Sequence, residues 1–435
     1  MLRRKAVHGL LALAGLIVVA GTAVRSAQAP QGLSETPQAL SEGPSRIACP
    51  AQPLASSDFA SAPAHYTPRY DTITHRLLDD EKVLGRVTPQ MYLNLDTVIA
   101  RSATELERLG PYRPNARTAE QDMAYGRAAL HLIDCVLVES GFVYPGHGLV
   151  PLLSDGLGAT AYADRSELLA QSHNRRRRTY IEQRATSNFY VVDCDIASFL
   201  YLAVAQVMHY PLHLVEIPGH DFVRWTVDER HRFDFDTMDG VDETVAGDLD
   251  VDSFYKTHGV PASSLSRGHT FADMTENQIV SYYYDAMGLE FLHAPAVDPD
   301  YAHMLAAFEQ AIRYDRDNPA PYNRVAWFLA AVRPDAALNP KALAYSTRAT
   351  ALWPQASFWD TKACVEARRG DFDAATATQR IALNAPDPSF SRTLQEDMQT
   401  HLAAFANRQP CAEDLVRYRQ DVCPFRPGTK ASGPC

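Results

Sequence analysis

Three residues, taken in chain order, have the types and spacing for covalent chemistry on an amide. Cys194 stands in Asp193-Cys194-Asp195, immediately ahead of an amphipathic run. A thiol at a helix N-terminus feels unpaired N–H groups and the positive end of the macrodipole, which favour the thiolate, the attacking species. The same N–H groups can hold the oxyanion formed when sulfur attacks an amide carbonyl. His220 follows a Pro-Gly turn at the start of a strand-like run, where an imidazole could take the thiol proton and return it to the leaving amine. A third group must fix its tautomer. Folding a hairpin about Asp228 to His231 sets residue 220 opposite 239, which makes Asp236 the favoured acid and Asp234 the alternative. Singly, each has a structural reading: a buried thiol, a turn histidine, a hairpin-end acceptor. Their joint order is rarer than the parts and points to a catalytic set.

The elements that must position these residues are legible from pattern. Ile196, Phe199, Leu200, Ala203, Val204 and Val207 fall on one face of a helix that Tyr210-Pro211 ends. Leu212 to Ile217, His220 to Val227 and Arg232 to Asp236 read as three antiparallel strands, with 228–231 as a loop. Ahead of them, Pro89 to Leu109 and Thr118 to Ser140 read as helices. The second opens with Thr118 and Gln121 at capping-box spacing. Gly and Pro between 141 and 158 predict a loop, and Ser166 to Arg184 a polar helix or loop. Within the latter, Arg175 to Arg178 is expected to be a solvated face, with an anion site as the minority reading.

From Thr275 onward helical periods take over, punctuated by Pro319, Pro354 and Pro386. The segments 277–292 with 301–314, 321–332 with 341–352, and 356–369 with 373–383 predict three stacked helical hairpins that resemble tetratricopeptide repeats.

Composition bounds the function. The chain has 435 residues, 46% hydrophobic and 21% charged, which suits two or three globular units. Its formal charge is −11, and four of its positive charges lie in the first 29 residues, so the remainder is more acidic still. A broad phosphate-neutralising surface, and with it a nucleic-acid role, is disfavoured. Arg3, Arg4 and Lys5, then an apolar run from Gly9 to Val24 and Ala27-Gln28-Ala29, read as a secretory signal. That predicts a periplasmic or secreted protein with no membrane span once the signal is removed. Seven cysteines are then read for an oxidising compartment. Cys411, Cys423 and Cys435 crowd the tail, Cys135 and Cys364 sit in apolar helical patterns as buried thiols, and Cys194 is left unpaired. His209, His213, His220 and His231 lack metal-ligand spacing, and Gly156 to Gly158 lacks a phosphate-loop sequel, so no metal or cofactor is expected.

The runs Asp193-Cys194-Asp195-Ile196-Ala197-Ser198, Pro218-Gly219-His220-Asp221-Phe222-Val223-Arg224-Trp225 and Phe233-Asp234-Phe235-Asp236-Thr237-Met238-Asp239-Gly240 resemble the core of the transglutaminase-like superfamily. More narrowly, they resemble a bacterial branch in which that core precedes tetratricopeptide repeats. The likeness covers roughly residues 90 to 385. It implies an α+β papain-like, transglutaminase-like catalytic domain followed by an all-α tetratricopeptide-like repeat domain. Cys194 would be the nucleophile, His220 the base and Asp236 the orienting acid. Such cores include proteases and amidases as well as inactive forms. Asn188, six residues before Cys194, is the candidate second oxyanion donor by analogy with papain-like enzymes. Arg224 and Asp221 depart from the pattern by adding charge around the histidine strand. The expected organisation is a signal (1–29), an Ala/Ser/Pro-rich linker (30–67), the transglutaminase-like unit (68–274), the repeats (275–405) and a Cys/Pro-containing tail (406–435). The expected activity is an exported cysteine amidohydrolase or acyltransferase. Its substrate would be a peptide or protein, a peptidoglycan stem peptide among them, with a protein partner on the repeats. The rival is an inactive scaffold whose repeats bind proteins in the cell envelope.

Overall fold

The structure, a computed structural model, describes residues 49, 59–114, 116–144, 152–161, 165–171, 175–184, 188–217, 220–237, 271–293, 301–385 and 392–411. The expected signal, most of the linker, the Pro218-Gly219 turn, Met238 to Gly240 and most of the tail lie outside these residues. Helices dominate, with two small three-stranded sheets. In chain order they are α1 (Ile73–Asp80), α2 (Pro89–Leu106), α3 (Ala119–Glu139), β1 (Phe142–Val143), α4 (Leu153–Gly156), β2 (Ala159–Ala161), α5 (Ser166–Gln171), α6 (Arg175–Gln183), β3 (Asn188–Val191) and α7 (Cys194–Met208). Then come β4 (Leu212–Ile217), β5 (His220–Thr226) and β6 (Arg232–Phe235), and the helical part with α8 (Glu276–His293), α9 (Tyr301–Tyr314), α10 (Pro319–Trp327), α11 (Asn339–Leu352), α12 (Ala356–Arg368), α13 (Phe372–Ala382) and α14 (Arg392–Ala406). No helix among the described residues is long and apolar enough to cross a membrane.

Local chemistry sets the boundaries. Thr118 and Gln121 cap α3 reciprocally, as their spacing predicts, and Asp193 caps α7 by accepting from the Ile196 N–H at 3.2 Å. His209, in the left-handed region at φ 56°, ends α7 before Pro211. Every residue of α7 from Ile196 to Ala205 is buried, so the helix is enclosed on all sides rather than on the one face its period suggests.

The first sheet has the order β1-β3-β2, with β1 parallel and β2 antiparallel to β3. None of its strands is legible in the sequence as we read it: each has two to four residues, too few to show alternation. The second sheet, β4-β5-β6, is the expected antiparallel one, but its register differs by one. Val223 pairs with Phe235 and Thr226 with Arg232, where the expected hairpin would pair Val223 with Asp236. A slip of one exchanges faces. In the observed register Asp236 falls level with Phe222, on the face of His220; in the expected one it falls level with Val223, on the other face.

Three further expectations are corrected. Cys135 and Cys364 are not free buried thiols, because Cys49 is joined to Cys135 and Cys364 to Cys411. Arg177 is not part of a solvated face: its guanidinium is buried on Asp134 at 2.8 Å, with the Thr237 carbonyl at 3.2 Å. The end of the stretch read as a flexible spacer is anchored. Phe59 packs edge-on against Phe142 and Tyr190, and the Tyr66 hydroxyl donates to Asp96 at 2.5 Å.

The main apolar core runs unbroken past residue 274. Tyr283 and Met287 of α8 share one cluster with Phe199 and Leu200 of α7 and with Ile73 and Leu77 of α1. Three consecutive tyrosines on α8, about 100° apart around the axis, reach different places. Tyr282 faces the start of α7, Tyr283 bonds the buried Glu81 carboxylate and the Leu153 N–H, and Tyr284 stacks on Tyr314.

Candidate active site

Cys194 is the first residue of α7, where the Asp193 cap turns the chain from β3 into the helix. It is the one free cysteine among the described residues, and it is partly exposed. Its thiol donates to Asp195 Oδ1 at 3.1 Å. Of the described residues, Asp195 is its hydrogen-bond partner and His220 is not. The reason is strand alternation. Val223 and Trp225 of β5 turn toward α7, as do Phe233 and Phe235 of β6. Phe222 turns the other way, into a small cluster with Val215, Ile217 and Phe271. His220 pairs with Ile217 and its ring lies 6.4 Å from that of Phe222, so it belongs to this second face. Asp221, one residue on, brings a carboxylate oxygen within 4.8 Å of the sulfur.

The structure brings two of the expected residues together. His220 Nε2 lies 3.1 Å from Asp236 Oδ2, with both side chains about four-fifths buried. Asp234 is engaged elsewhere: its carboxylate takes both arms of the buried Arg224 guanidinium, at 2.5 and 3.1 Å. Arg224 also bonds Asp273 and the Phe271 carbonyl, so this added charge is neutralised within its own face. Asn188 opens β3 and is exposed, four positions, about 13 Å of extended chain, before Val192. Its carbonyl accepts from Arg184 at 2.9 Å.

The surroundings of Cys194 are acidic. One oxygen each from Asp195 and Asp221 lies with the sulfur in a group whose atoms are all within 4.8 Å of one another. The Tyr282 hydroxyl lies 2.5 Å from Asp195 Oδ2 and 2.7 Å from Asp221 Oδ2. A phenol has one proton to give, so with both contacts made as hydrogen bonds one carboxyl carries a proton of its own. Burial, then the neighbouring Asp195 charge, push the Asp221 carboxyl well above its usual range. Glu216, across the sheet from Asp221, is pushed up to about 8 by burial and by Asp285 and Asp195. Arg324, paired with Asp285 at 2.7 Å, is the cation nearby that lowers it.

These carboxylates reverse the expected chemistry of the thiol. Burial first, then Asp195, Asp221 and Asp193, push Cys194 well above its ordinary value, overriding what the helix terminus offers the thiolate. In the resting arrangement Cys194 is a protonated hydrogen-bond donor. Sequence reasoning noted Asp195 and Asp221 only as neighbours of the expected site and missed Tyr282, whose one signal is the run of three tyrosines at 282–284.

Comparison with family models, with curated proteins and with solved structures finds no match to this chain.

Proposed function

We propose that the chain is an exported cysteine amidohydrolase or acyltransferase of transglutaminase-like type, with a papain-like unit followed by tetratricopeptide-like repeats. The observation that carries this reading is the His220–Asp236 hydrogen bond at 3.1 Å on the strand pair that follows the Cys194 helix. An aspartate holding one ring nitrogen leaves the other to act as base, which is the division of labour a thiol nucleophile needs. In the reaction, the His220 ring swings round the start of β5 to the sulfur, and the Cys194 thiol leaves Asp195 and yields its proton to it. The sulfur attacks the amide carbon, the amine departs with that proton, and water or a second amine resolves the thioester. Two disulfides and a signal-like N-terminus support an oxidising compartment. Stacked helices after residue 275 suit an extended peptide or a protein partner, a peptidoglycan stem peptide being one substrate of the right chemistry.

The second reading, an inactive scaffold that binds proteins through its helices, is favoured by one specific observation: the sulfur is held by Asp195 amid carboxylates rather than by an imidazole. One assay separates the two. Full-length chain is incubated with a glutamine-containing polypeptide, and with stem peptide, while ammonia release, incorporation of a labelled primary amine and new amino termini are followed. The enzyme reading expects turnover that Cys194→Ser abolishes and His220→Ala lowers by about 100-fold or more. Turnover that survives Cys194→Ser, or none by any of the three readouts, leaves the scaffold.

A further inference from the structure

We infer that Cys194, Asp195 and Asp221 form a site for a divalent transition-metal ion of the zinc class, closed on one side by Tyr282. The donor set is one sulfur and two carboxylate oxygens, all within 4.8 Å of one another. In a tetrahedral site, metal–oxygen bonds of about 2.0–2.2 Å and a metal–sulfur bond of about 2.3 Å set neighbouring ligand atoms about 3.5 Å apart. The three atoms therefore need to draw in by no more than about 1.3 Å. A second observation points to a cation. Asp221 is 3% exposed, yet its Oδ1 has no hydrogen-bond partner, while Oδ2 is taken by Tyr282. A buried carboxyl oxygen left without a partner is costly, and a metal ion at the site would satisfy it.

Three protein ligands leave a fourth position for water. Thiolate selects for zinc, cobalt or cadmium over magnesium or calcium, for which a sulfur ligand is unsuited.

This inference does not rest on Cys194 attacking amides, and a filled site would instead block alkylation of the sulfur. The test is Co²⁺ titration of the full chain, read by thiolate-to-cobalt charge-transfer absorption, with Zn²⁺ calorimetry in two buffers of different ionisation enthalpy. The expected result is one ion per chain, a charge-transfer band, and proton release on Zn²⁺ binding, because a ligating thiol must be deprotonated. Cys194→Ser should abolish the band. Asp221→Asn, or Asp195→Asn should the buried variant fail to fold, should weaken binding tenfold or more. His220→Ala should bind Co²⁺ as the parent does. A band that survives Cys194→Ser, or none at millimolar Co²⁺, overturns the site. Amide turnover without Co²⁺ binding sinks this inference alone, and Co²⁺ binding without turnover sinks the enzyme reading alone.

Discussion

Replacing Asp195 by asparagine removes the charge that sits nearest the Cys194 sulfur, and the structure fixes how much this should matter. The thiol donates to Asp195 Oδ1 at 3.1 Å. Were the thiol ionised in place, sulfur and carboxylate would repel. Two unit charges about 4 Å apart at an effective dielectric constant of about 20 interact by about 4 kcal/mol. At about 1.4 kcal/mol per pKa unit, that is worth up to about three units. The loss of a charge-accepting hydrogen bond from the thiol acts in the same direction. Asp221 and Asp193 remain in the variant, so the shift is expected to be about two units, downward. Where both thiols are mostly protonated, the thiolate fraction and the alkylation rate should then rise by about 100-fold. The assay is iodoacetamide labelling of Cys194, followed by peptide mass across pH 5 to 9, in parent and variant. In the parent, labelling should lag behind a model thiol of pKa about 8.5. A parent that labels faster than a model thiol, or a variant accelerated by less than about threefold, would refute the view that the carboxylates hold Cys194 protonated.

Glu81 is fully buried between α1, α4 and α8, and burial pushes it up to about 7 against 4.5 when exposed. The folded state therefore binds the extra proton, so this contribution is complete below about pH 4.5 and is lost as pH rises through 7, a fall of about 3 kcal/mol. Urea unfolding of Glu81→Gln at pH 5 and 8 should show a flatter profile than the parent; an unchanged slope refutes the assignment. Closing loops of 86 and 47 residues, the Cys49–Cys135 and Cys364–Cys411 bridges should each contribute about 4 to 5 kcal/mol in the chain-entropy account. Paired Cys→Ala variants read by thermal unfolding would contradict this if their stability were unchanged. A methyl group at Gly126 would lie 2.5 Å from Trp225, whose indole N–H is held by Asp122 at 2.9 Å. Gly126→Ala should therefore cost about 1–3 kcal/mol of overpacking, visible in the urea midpoint.

Much of the helical scaffold was legible, because its signals are local. The capping residues of α3, the period of α7, the three strands after it and six helices beyond residue 275 all follow from neighbours in sequence. The helix α1 and the sheet β1-β3-β2 were not: their segments are short, and β1 and β3 find each other only after α4 to α6 intervene. At the candidate site, the chain order of Cys194, His220 and Asp236 was legible, but Tyr282 and the grouping of these side chains were not. A register error of one residue is small along the strand but decides which face each side chain takes. His220 and Asp236 therefore meet, while the neighbouring Asp221 goes to the sulfur. No local pattern announces that a tyrosine 87 positions further on will lie against Asp195.

That tyrosine belongs to the first helix after the boundary read from the sequence, and the consequence concerns modularity. A chain cut at 274 would not be a trimmed domain but one with a wall missing, its two acids deprived of the phenol between them. A shift of α8 would move that phenol, and with it the hydrogen bonds that hold both acids beside the sulfur. The two halves are better regarded as one instrument than as a tool and its handle.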